Sequence, residues 1–132
     1  MTRAMVAFIV LSFILAGNAI AADARAPCKT SPKVVGACFV VHGRMFFANG
    51  NPSTRLWRIG TNRILGIVDG TGPGGDEDAV PPELLKQLGP QPDQTLTYAD
   101  FTVCPFTRER KGWMRLVCIE STRNVIVRQI DK

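Results

Sequence analysis

A tryptophan set among arginines, one histidine and four cysteines are the residues of this chain with chemistry to offer. The arginines carry the clearest pattern. In Thr54-Arg55-Leu56-Trp57-Arg58-Ile59, Arg55 and Trp57 fall on one side of an extended backbone, because side chains alternate with period two. Arg44 and Arg63 stand in the runs before and after it. A guanidinium meets carboxylate or phosphate as a planar fork, and an aromatic face accepts a cation or stacks on a ring. Arg44, Arg55, Trp57, Arg58 and Arg63 therefore form the candidate ligand site, suited to an anionic or sugar ligand. The competing expectation has Trp57 filling a barrel, with Arg55 near its rim and the other arginines solvated outside.

Catalysis is less well provided for. A nucleophile needs an adjacent base, and the single histidine, His42, lies in a strand-like run where a structural or surface role is the ordinary one. Asp69, Asp100 and Glu120 could serve as paired acids only if the fold brought them together. No catalytic residue is assigned, and no cofactor is expected. Metal binding is not expected either, since the chain has no Cys-x-x-Cys and only one histidine. The glycine-rich stretch Asp69 to Asp78 lacks the Lys-Ser/Thr of a phosphate loop. Its acids would repel phosphate, and their spacing matches no ordered calcium loop; a solvated loop is expected.

Cys28, Cys38, Cys104 and Cys118 read as two disulfides. Positions 104 and 118 are symmetric about Lys111, the centre of the charged turn Thr107-Arg108-Glu109-Arg110-Lys111-Gly112. A hairpin centred there sets the two cysteines face to face, so Cys104–Cys118 is the expected bond. Cys28–Cys38, the other short loop, would then staple a leader to the first strand. A loop near 15 residues stabilises by ~3 kcal/mol in the chain-entropy model.

The elements that must position these residues follow from the apolar pattern. Phe39 to Ala48 is a long strand with a bend at Gly43, where a glycine inside an apolar run marks a bulge or turn of direction. Asn49-Gly50-Asn51-Pro52 turns the chain into a second strand, and Gly60-Thr61-Asn62 turns it into a third, Arg63 to Val68. A short helix spans Val80 to Gly89, opened by proline, closed by glycine and apolar at Leu84, Leu85 and Leu88. Strand resumes from Thr95 to Cys104 and again from Trp113 to Glu120. Ser121 to Asn124 reads as a further turn, with a short last strand through Val125, Val127 and Ile130.

The N-terminus reads as a signal peptide. Met1-Thr2-Arg3 precedes an apolar core from Ala4 to Ala16 and a small-x-small site at Ala19-Ile20-Ala21. That core is shorter than the ~20 residues needed to span a bilayer, and no cysteine follows it to carry a lipid. Cleavage after Ala21 leaves an irregular leader, residues 22–36, and a single domain, residues 37–132. It removes Arg3 from 16 basic residues set against 11 acidic ones, a modest positive balance that favours anionic partners only weakly.

Three strands, a helix, then two or three strands predict a mainly β fold: a small five- to six-stranded antiparallel OB-like barrel with its helix between strands three and four. Another small antiparallel barrel or a sandwich is the alternative. The segments Cys38 to Met45, Gly50 to Trp57, Gly60 to Gly66, Phe101 to Phe106 and Val117 to Glu120 together resemble a family of small secreted proteobacterial proteins with an OB-like barrel. That resemblance spans most of residues 38 to 128. It implies export and one compact domain, and it brings no activity or site residue with it. The expected function is an exported, periplasmic or secreted binding module for an anionic glycan or other anionic or sugar ligand. The alternative is a protein-interaction or envelope-stress module that meets an envelope protein; a hydrolytic enzyme is less favoured. Nucleic acid is not an expected partner of an exported protein, and no membrane anchor is expected to remain after cleavage.

Overall fold

The structure, a computed structural model, describes residues 28–69 and 79–131. The expected signal peptide, the first part of the leader and the glycine-rich loop lie outside the described residues.

Alternation of apolar and polar residues produces five strands: β1 (Phe39–Phe47), β2 (Thr54–Arg58), β3 (Ile64–Ile67), β4 (Thr95–Pro105) and β5 (Arg115–Gln129). One helix, α1 (Pro82–Leu88), stands between β3 and β4. The sheet runs β1-β2-β3-β5-β4 and closes back on β1 as a ring. Closure depends on β1, which pairs with β4 over Phe39–Met45 and with β2 over Gly43–Phe47. The handover falls on Gly43, as the sequence predicts. A Cβ there would stand 2.5 Å from Leu56 Cδ1 and 3.0 Å from the Trp57 carbonyl oxygen, so a side chain would push β2 off β1.

Inward-facing residues of every strand meet in one core of Val41, Met45, Leu56, Ile67, Phe101 and Ile119, among others. The helix closes that core with Leu84 and Leu88, both 1% exposed, while Leu85 is 39% exposed. The helix is thus shorter than expected, and its apolar face is the pair four residues apart, because only positions 84 and 88 look down the same side.

Three expectations need correction. The sheet is mixed: β3 pairs with β5 in parallel, since a ring that takes β4 and β5 as a hairpin must return β5 alongside β3. Among the described residues there is no sixth strand, for β5 continues unbroken through the expected turn at Ser121 to Asn124. Register shifts against β4 and a left-handed Asn124 (φ 55) accommodate the polar stretch within the strand.

The third correction concerns the sulfurs. Cys104 and Cys118 do sit opposite each other in the β4–β5 ladder, yet they are bonded elsewhere. Cys28 pairs with Cys118 and Cys38 with Cys104. Register explains the second bond: Phe39 faces Val103 across β1–β4, which brings Cys38, the residue before it, beside Cys104 at a Cα separation of 4.1 Å. Cys118 is then left to the short 3-10 turn Cys28–Thr30, whose Lys29 N–H donates to the Glu120 carboxylate at 3.2 Å. Two disulfides suggest folding in an oxidising, extracytoplasmic environment. Among the described residues no helix is long and apolar enough to cross a membrane.

Candidate functional site

The five residues expected to share a ligand site are divided by the fold among three tasks. Arg44 and Trp57 are direct partners in the β1–β2 register and lie on the outer face, because their neighbours Met45 and Leu56 point into the core. The Arg44 guanidinium stacks 4.9 Å from the Trp57 ring centre and 5.9 Å from that of Phe46. Trp57 is therefore half-buried on the outside of the ring and does not fill it. Its indole N–H donates to the Thr61 carbonyl at 2.8 Å, which fixes the ring against the β2–β3 turn. Arg55 shares that outer face but spends its donors on the β1–β2 turn, giving Nε to the Pro52 carbonyl and a terminal nitrogen to that of Asn49. It shapes the turn.

Arg58 and Arg63 go elsewhere. They line a small recess at the mouth of the ring together with Ile64, Glu109, Trp113 and Arg115. Arg63 forms an ion pair with Glu109 at 3.1 Å, and Arg115 lies over the Phe39 ring at 5.1 Å. Trp113 is 65% exposed and forms a wall shared by this recess and a larger cleft.

That cleft, about 530 Å³, opens between the β1–β2 turn and the β4–β5 loop. Its apolar lining is Pro52, Val68, Met114 and Leu116, and its rim carries Arg108, Arg110 and Trp113. Gly66 on β3 makes the close approach of turn and loop possible. A Cβ at that position would lie 2.6 Å from Pro52 Cγ, 2.8 Å from Leu116 Cδ2 and 2.9 Å from Met114 Sδ. The loop is fastened at its base by Thr107, whose hydroxyl accepts from the Leu116 N–H and whose carbonyl accepts from Arg115 Nε. Gly112 at φ 79 permits the tight return that presents Trp113, and the Trp113 N–H closes on the Arg110 carbonyl at 3.1 Å. The Arg110 guanidinium then rests 4.6 Å from the Trp113 ring centre. The cleft falls within the size range of small-ligand sites, apolar below with cationic groups at its edge.

Sequence pattern missed Trp113. It reads there as the first residue of the strand Trp113 to Glu120, whereas β5 begins at Arg115. The available signal was Arg110-Lys111-Gly112-Trp113, a cation and an aromatic brought close by a glycine turn.

His42 has a partner of its own across the β1–β4 ladder. Its Nδ1 lies 2.8 Å from Asp100 Oδ1, and the Asn124 amide donates to the other carboxylate oxygen at 2.8 Å. The Asn124 amide foremost, then His42, holds the Asp100 carboxyl below the usual range for aspartate. A carboxylate lowered in the folded state adds stability that is full above its unfolded value of ~3.9 and is lost as pH falls through the folded one. Thermal melts of the wild type below pH 4 should therefore decline more steeply than those of Asp100→Asn.

Glu120 is engaged separately, accepting from the Lys29 N–H. Among the described residues no three His, Cys, Asp or Glu side chains come together as metal ligands. Compared with protein-family models, curated proteins and solved structures, the chain finds no match.

Proposed function

We propose that this chain is an exported OB-like barrel that binds an anionic ligand in the cleft between its β1–β2 turn and its β4–β5 loop. The strand order, the parallel β3–β5 seam, the bent first strand and the helix after β3 support the OB-like reading. Folds of that kind use the same two loops for binding, although the fold alone selects no ligand. Export is supported by the signal-like N-terminus and the two disulfides.

One observation carries the ligand class: an exposed tryptophan, backed by Arg110, beside a cleft whose rim and adjoining recess hold Arg58, Arg63, Arg108 and Arg115. Among the described residues Glu109 is the one acid lining either. Such a site grips charge through forked hydrogen bonds and a ring or apolar moiety through stacking.

Calorimetric titration of residues 22–132 with galacturonate oligomers tests the reading. Binding should weaken as salt is raised, and Glu109→Gln, which frees Arg63, should tighten it about 3-fold, the scale of an exposed ion pair. Absence of binding, or binding indifferent to salt and to Glu109→Gln, overturns it. The exposed Val40 and Ile126 on the outer face, 64% and 55% accessible, favour the second reading, a protein-interaction module. Under that reading an envelope protein binds without salt dependence.

A further inference from the structure

We infer that the ligand is an acidic oligosaccharide laid along a track with two arginine–tryptophan subsites, and not a single small anion. This rests on the cleft reading above and adds to it a second subsite and a direction.

Arg110 over Trp113 and Arg44 over Trp57 are two stacks of the same make, at 4.6 and 4.9 Å. They lie on one continuous surface. Arg44 faces Trp57 across β1–β2, and Trp57 faces Ile64 across β2–β3, so all three occupy one row on the outside of the sheet. Ile64 is 40% exposed and lines the same recess as Trp113. The row thus runs from Arg44 through Trp57 and Ile64 to Trp113 and into the cleft. One strand spacing, ~5 Å, already separates Trp57 from Ile64, and the recess between Ile64 and Trp113 adds to that, so one sugar ring seated on Trp57 does not also cover Trp113. A chain of them can.

Charge runs the same way. Arg44 stands at one end, Arg63 near the middle and Arg108 and Arg110 at the other, with Glu109 the single acid among the described residues lining cleft and recess. The Arg44 Nε is buried with no hydrogen-bond partner, while Trp57 is locked by its bond to Thr61. Among the described residues no carboxylate pairs with Arg44. Arginine forks suit carboxylate, sulfate or phosphate substituents alike, and rigid indole faces suit sugar rings. A nucleic acid strand offers rings and charge too, but two disulfides suggest an oxidising space where such strands are scarce.

The test is a length series. Galacturonate monomer through hexamer, and oligodeoxythymidylates of matched charge, are titrated against residues 22–132 at one salt concentration. Affinity for galacturonates should climb about 10-fold once the oligomer is long enough to reach Trp57, the scale of one stacking contact. That gain should vanish in Trp57→Ala. Because Trp57 also secures a turn, Arg44→Gln, which leaves the indole in place, serves as the second variant and should remove most of the gain.

A length-independent affinity, still lost in Trp113→Ala, overturns the track and leaves the cleft standing. Oligodeoxythymidylate binding tighter than galacturonate of equal charge overturns the glycan assignment. No binding of either series overturns both the track and the cleft.

Discussion

Replacing Cys28 and Cys118 together by serine is expected to cost this protein most of its stability. The bond they form closes a sequence separation of 90 residues, for which chain entropy gives about 4.6 kcal/mol, against ~3 for the short hairpin loop. Domains of this size commonly retain only 5–15 kcal/mol in all. Cysteine removal also leaves polar hydroxyls beside Val34 and Phe106 in a buried cluster. The double variant should melt more than ~10 °C below the wild type, read by circular dichroism at neutral pH. A melting point within a few degrees of wild type would show that the leader's attachment contributes little. Serine at Cys38 and Cys104, which close 66 residues, should cost nearly as much.

Trp113→Ala is expected to leave the melting point where it is and to remove binding. The side chain is 65% exposed, so truncation opens no cavity, and surface changes of this sort fall within ~0.5 kcal/mol. What it removes is the surface on which Arg110 rests and against which a ligand ring would lie. Stacking of that kind is worth ~1–3 kcal/mol, so galacturonate affinity should fall roughly 10- to 100-fold. Trp113→Phe should recover part of the loss, because a smaller ring still supports a cation. Unaltered affinity in Trp113→Ala would move the site off the cleft altogether.

Much of the frame was legible from residue order. Gly43 marks the bend, Asn49 to Pro52 and Gly60 to Asn62 mark the turns, and alternation sets Arg55 and Trp57 on one face. Even the hairpin register was readable, for Cys104 does face Cys118 across a turn centred near Lys111. What failed was the step from facing to bonding. Two opposed cysteines look like partners when only their own hairpin is considered, and the competing sulfurs arrive just before β1 and on the leader, 66 and 90 residues away.

The parallel seam was hidden for a similar reason: alternation is blind to strand direction, and β3 contributes only Leu65, Gly66 and Ile67 to it. Ser121 to Asn124 misled because residues that favour a turn can also sit in a bulged strand, as Asn124 does. Trp113 was hard to place because a loop residue has no alternation to reveal whether it faces in or out. The side of the sheet on which Trp57 falls was undetermined by pattern, since parity fixes which residues share a face and leaves open which face is covered.

Both sulfur bridges join the beginning of the described chain to its last two strands, β4 and β5. A polypeptide that emerges N-terminus first into an oxidising space presents Cys28 and Cys38 to each other long before either correct partner has arrived. Their premature union would be chemically reasonable and structurally wrong, and only thiolate attack through a mixed disulfide could undo it. The connectivity of the folded domain thus runs against the order in which its cysteines occur along the chain, and any early Cys28–Cys38 bond has to be exchanged before both long-range bridges can close.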